Sequence, residues 1–238
     1  MVTLENKISA DALRRLAFEL LTTAGADEAE SRIVAEVLMW GTLTERETQG
    51  VWRLPVYLER FQKGGIASPC RPQWHPHTDT VHVLDGAHGF GPYVAHLAMA
   101  RATDLAEKFG VGVVAVRNSN HFGAAAYYPQ MAAARGQIGF ACTNAGRRVA
   151  PFGATGAVLG TNPLAFAAPM RGGDSILVDL STSASSGSAV RKASEENRAV
   201  SREVSIDPSR ATEAALLPFG AKGFALGLMV EILSGVVS

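Results

Sequence analysis

The chain has 238 residues, enough to bury a core in one large or two modest domains. Apolar residues make up 47% and charged residues 18%, which excludes a disordered chain. Basic and acidic side chains balance at 22 each, so no strong field draws nucleic acid or an anionic membrane.

The elements follow in chain order. The opening stretch is amphipathic and charged, without the apolar core of a signal peptide, and no uncharged apolar run reaches membrane-spanning length. A cytoplasmic protein is expected. Ser9 can cap a first helix with a stripe of Leu13, Leu16, Leu20 and Leu21, ended by Gly25. Asp27 can cap a second, carrying Ile33, Val34, Val37 and Leu38, and a third covers Leu54–Gln62. Cys70 and Cys142, the two cysteines, are too far apart for a disulfide framework or zinc ribbon. "QWHPHTD" holds an H-x-H pair, His75 and His77, but lacks a third ligand and reads as a solvated loop. "TVHVLDG" alternates as a half-buried strand does. A helix with Pro92 in its first turn follows, then strand "VGVVAVRN" and a helix interrupted or started late by Pro129. "QIGFACTN", "PLAFAAP" and "SILVDLS" read as strands. Residues 184–213 read as a polar, irregular connection, and "AKGFALGLMVEILSGVVS" as an apolar closing helix. No internal repeat is visible. The order predicts an α/β (α+β) chain with a helical region over 1–75, a mixed-sheet body over 76–220 and a closing helix over 221–238.

"GAHGFG" at 86–91 stands between a strand and a helix, but its G-x-x-G-x-G spacing is not the dinucleotide fingerprint G-x-G-x-x-G. A tight connection is the simpler reading. His121 follows a strand, on a loop with Asn118, Ser119 and Asn120, and strand-exit loops carry chemistry. Asn120 can orient the imidazole or accept a substrate. The alternative is a turn in which His121 only packs. Arg53 in "GVWRLPVY" offers a fork for a carboxylate, or a structural salt bridge to Glu47 or Glu59. "ILVDLSTSASSG" ends a strand in Asp179 with hydroxyls behind it, suited to a sugar or pyrophosphate, or to a helix cap. Lys222 places a cation near a helix start, where phosphates bind.

Taken together, "GVWRLPVYLERFQKGGI", "RNSNHFGAAAYY", "TNAGRRVAPFGATGAVLGTNPLAFAAP", "ILVDLSTS" and "LLPFGAKGFALGLMVEILSGV" resemble the type 2 malate/L-lactate dehydrogenase family, from about residue 8 onward. The resemblance implies a non-Rossmann nicotinamide-binding fold. It implies a large, mainly antiparallel mixed sheet with flanking helices, and a homodimer with its active site near the interface. It implies His121 as general acid/base and Arg53 as the carboxylate anchor. Ala145, Asp179, Leu180, Ser181 and Lys222 fall where members contact NAD or NADP. Many members carry Ser-His-Gly before the valine of "GVWRLP", and that histidine is the proton donor in several. Here Thr48 and Gln49 stand instead; glutamine cannot exchange a proton near neutral pH, but Gln49 at this catalytic position can hold the substrate oxygen through its amide N–H and polarise a carbonyl. The stretch 183–216 is shorter than the family's, and members continue beyond the position of Ser238, so a truncated C-terminal region is expected. The implied activity is hydride transfer between NAD or NADP and a small 2-hydroxy or 2-oxo acid. Reduction of a cyclic imine carboxylate is the alternative, and a catalytically weak cofactor-binding paralogue or fragment a third.

Overall fold

The structure is a computed structural model and describes residues 7–236. The two ends of the expected helical region and closing helix, residues 1–6 and 237–238, lie outside the described residues. Helix α1 (Ala10–Thr23) starts where the Ser9 hydroxyl accepts the Ala12 N–H, and α2 (Glu28–Leu43) where the Asp27 carboxylate accepts those of Ala29 and Glu30. These bonds satisfy donors that a helix start leaves open. Gly25 turns the chain between them at φ +98. Two 3-10 turns, Glu47–Gln49 and Val51–Arg53, lead into α3 (Leu54–Gln62). Leu21, Val34, Leu38, Leu54 and Tyr57 join Phe90 in one buried cluster.

Strand β1 (Gln73–Pro76) pairs antiparallel with β2 (Val81–Asp85), so the stretch read as a solvated loop is an edge strand with His75 opposite Val83. All four β1 residues are exposed, which explains why no apolar alternation marked it. Helix α4 (Gly91–Phe109) crosses over to β3 (Val113–Arg117), which lies parallel to β2. Helix α5 (Tyr127–Ala133) takes Pro129 in its first turn, where a missing N–H costs nothing. Strands β4 (Gly139–Cys142), β5 (Leu164–Pro169) and β6 (Ser175–Leu180) form an antiparallel sheet. The fold is mixed α/β as expected, with three of four strand pairings antiparallel. Its described strands form two three-stranded sheets rather than one large one. Helix α4 links β2 to β3 within the first sheet, and α5 stands between the two strand sets in sequence.

Residues 184–213 correct the expectation of an irregular connection. They contain α6 (Gly187–Glu195), capped by the Ser186 hydroxyl on the Ala189 N–H and burying Val190 and Ala193. Closing helix α7 (Gly220–Glu231) continues as a π-helical turn over Ile232–Val236.

Candidate active site

The β2–α4 and β3–α5 connections lie side by side. The Asp85 carboxylate accepts the Ala87 N–H (3.0 Å), the Asn118 amide (2.8 Å) and Arg117 Nε (3.2 Å). His88 N–H donates to Asn118 O at 2.7 Å. A Cβ at Gly91 would stand 2.3 Å from the carbonyl oxygens of both Asn120 and His121, so only glycine lets the helix start approach this loop. "GAHGFG" is thus a tight connection whose last glycine seats His121. Gly123, at φ +80, turns the chain past it, and the buried Tyr128 hydroxyl donates to Phe122 O.

His121, Arg53, Tyr57, Arg60 and Asn120 line a cavity of about 120 Å³, closed on its apolar side by Ile66 and Phe90. His121 Nδ1 lies 2.7 Å from the Tyr57 hydroxyl, and Gly123 N–H points at the same nitrogen from 3.3 Å. His121 is exposed by its accessible surface, although protein lies densely around its ring. Enclosure first, then the charges of Arg53 and Arg60, push its pKa down to about 3.

Arg53 has no salt bridge among the described residues. Glu47 pairs with Lys192 and Glu59 with Lys63, so the structural salt-bridge reading of Arg53 does not hold. Its Nη2 donates to Ser188 Oγ at the start of α6, and its Nε is buried without a partner. Burial lowers its proton affinity, yet a guanidinium stays charged. A half-buried cation with an unpartnered donor is suited to an anionic ligand. The Asn120 side chain is already engaged: Oδ1 accepts Arg60 Nη2 (2.9 Å) and Nδ2 donates to His88 O and Gly89 O (2.9 and 3.0 Å). It braces the loop rather than offering free donors. Gln49 is not among the residues lining the cavity; its backbone oxygen packs near Gly41 and Gly123.

The other expected contacts gather around the end of β6 and the start of α7. Asp179 is ion-paired with Arg46 Nε at 2.7 Å, and the Ser181 hydroxyl donates to Thr161 O at 3.0 Å. Ala145 N–H donates to the side chain of buried Asn162 at 3.0 Å. Phe219 N–H donates to Thr182 O at 3.0 Å, which docks α7 on the strand exit. No side chain caps α7 at its N-terminus, Lys222 is exposed in its first turn without an ion pair among the described residues, and Leu180 is exposed beside them. An uncapped helix start with a free cation, next to apolar surface, fits a dinucleotide's phosphates and rings.

Sequence reasoning missed Tyr57, Arg60 and Ser188. Arg60 was visible one helical spacing beyond Val56 on α3. Ser188 carries no signal of its own, because α6 buries only Ser188, Val190 and Ala193 in a polar stretch.

The family model for malate/L-lactate dehydrogenase matches residues 8–238. Malate dehydrogenase of Pyrococcus abyssi is 39% identical over 98% of this chain and 68% of its own length. The crystal structure of malate dehydrogenase from Entamoeba histolytica superposes with TM-score 0.93 at 33% identity, over 97% of this chain and 70% of that one. The delta1-piperideine-2-carboxylate reductase of Pseudomonas syringae pvar. tomato gives TM-score 0.91 at 30% identity, over 97% and 72%. With a two-loop cavity built on a βαβ unit and this match, the molecule is an oxidoreductase of dehydrogenase type. The chain belongs to the malate/L-lactate dehydrogenase family.

Proposed function

We propose that the chain interconverts a small 2-hydroxy acid and its 2-oxo acid, with NAD or NADP as the hydride partner. The observation that carries this is Arg53: a half-buried guanidinium in a small cavity beside His121, without a carboxylate partner among the described residues. Arg53 would hold the substrate carboxylate and fix the distance of the reacting carbon. His121 would exchange the proton on the substrate oxygen. Arg60, on the same cavity, adds a second cation that favours a substrate with a further anionic group. The nicotinamide supplies the hydride chemistry. Ala145, Asp179, Leu180, Ser181 and Lys222 would hold it, with Lys222 and the α7 start on the phosphates. For Asp179 this means sharing its carboxylate with Arg46. Gln49 would act only through its neighbours.

Reduction of a cyclic imine carboxylate draws support from the low proton affinity of His121, since an imine nitrogen carries its own proton. Against it, an iminium would bring a further positive charge beside Arg53 and Arg60. We infer a homodimer from the apolar outer face of the β4–β5–β6 sheet, where Phe140, Ile176 and Val178 are exposed.

The test is a panel of mono- and dianionic 2-oxo acids and cyclic imine carboxylates, each with NADH and NADPH, followed at the nicotinamide absorbance band. Turnover of 2-oxo acids, strongest for the dianions, is the expected result. Turnover of imines alone would establish the second reading, and none at all the catalytically weak paralogue.

A further inference from the structure

We propose that Tyr57 is a positioning residue that fixes the tautomer of His121, holding the proton on Nδ1 and leaving Nε2 free for the substrate. The inference rests on His121 as the proton carrier. The Tyr57 oxygen lies 2.7 Å from His121 Nδ1 and 3.1 Å from the main-chain oxygen of the same residue. A phenol has one proton to give. Given to the carbonyl, it turns an oxygen lone pair toward Nδ1, which then carries its own proton and donates it. All three groups are satisfied. Given to Nδ1, it deprives the carbonyl, for which no other donor is found among the described residues. Gly123 N–H also points at Nδ1, from 3.3 Å, and in the Nδ1–H form it turns to the Tyr57 oxygen, with which the same N–H interacts.

This arrangement serves both states of a proton carrier. When a hydroxy acid is oxidised, the substrate O–H bond breaks and an Nε2–H bond forms. The hydride leaves the same carbon for the nicotinamide, and C–O becomes C=O. Throughout, Nδ1–H keeps the Tyr57 oxygen as its acceptor, so no heavy atom need move. The partner is neutral: burial raises the phenol's pKa, so no negative charge is placed behind the imidazole. The charged groups facing this pair are Arg53 and Arg60 beside the cavity, with Arg191 beyond Arg53. Tyr128 stands behind Tyr57, and the β2–α4 side contributes Phe90, Gly91 and backbone. Tyr57 is buried, with its ring against Phe90, so Tyr57→Phe keeps the packing and removes only the hydroxyl.

The experiment is nitrogen-15 NMR of histidine-labelled full chain at pH 7, with His121 assigned by the signals lost in His121→Gln. The wild type should carry its proton on Nδ1, and Tyr57→Phe should shift the population toward Nε2–H. In the same variant kcat should fall about 10-fold or more, short of the roughly 100- to 10,000-fold loss on removing a general base. The KM for a 2-oxo acid should stay near wild type. An Nε2–H tautomer in the wild type, or an unchanged tautomer in Tyr57→Phe, overturns the role of Tyr57 even if His121→Gln is inactive. Near-wild-type turnover in His121→Gln overturns the proton-carrier reading itself, whatever the tautomer.

Discussion

His121 is the residue on which sequence and structure differ most usefully. An unperturbed imidazole titrates near 6.5, which recommends it for proton transfer at neutral pH. In the folded, ligand-free site its pKa falls to about 3, because enclosure and two guanidinium groups oppose a third positive charge. The sign follows directly. Between these two values the folded state binds fewer protons than the unfolded one. The stability this group contributes is therefore complete above about pH 6.5 and is lost as pH falls toward 3. For hydroxy acid oxidation, kcat/KM should show no acid limb from His121 between about pH 5 and 8. In the complex, a bound carboxylate offsets Arg53 and Arg60, so the corresponding limb of kcat should lie at higher pH. Profiles for wild type and His121→Gln test this. A limb near pH 6.5 in wild-type kcat/KM that disappears in the variant would contradict it.

At the scale of elements, the site depends on how closely α4 approaches the loop after β3. Gly91→Ala would place a methyl 2.3 Å from two backbone oxygens that cannot swing aside. Overpacking of this kind costs about 1–3 kcal/mol. The expected result is a lower Tm together with reduced kcat/KM, because His121 sits on the displaced loop. Gly156→Ala, where nothing lies within 4 Å, is the control and should stay within about 0.5 kcal/mol. The legible elements were those with local signals: the Ser9 and Asp27 caps and the β-branched run of β3; α1 formed as expected, but of its leucine stripe Leu16 and Leu20 are exposed and the buried residues are Ala17 and Leu21. Less legible were β1, whose residues are all exposed, and α6, whose buried face is limited to Ser188, Val190 and Ala193 among polar neighbours. The cavity was half legible. His121 and Arg53 stood out by residue type and position. Tyr57 and Arg60 gain meaning only from the approach of α3 to a loop some 60 residues away in sequence. Gln49 attracted attention by replacing a histidine, yet it lies outside the cavity lining.

For the molecule as a whole, the β4–β5–β6 sheet has two unlike faces. One packs Ala165 and Leu177 against Ala125 and Ala126 beside α5. On the other, strand register aligns Phe140, Phe166 and Val178 in one row and Cys142, Leu164 and Leu180 in the next. Phe140 and Ile176 there are 53% and 52% exposed, a contiguous apolar surface of the kind that marks an interface. Light scattering at micromolar concentration should give twice the chain mass of 25.1 kDa, reduced to one chain in Val178→Lys. A monomeric wild type would contradict the dimer.

Arg53 is proposed to anchor the carboxylate of the substrate, and Arg53→Lys is the sharpest test of that role. Lysine keeps the charge and loses the planar fork. With a 2-oxo acid and reduced cofactor, KM should rise at least about tenfold, the equivalent of roughly 1.4 kcal/mol, with cofactor affinity unchanged. An unchanged KM for the carboxylate substrate would contradict it and make Arg53 a structural residue.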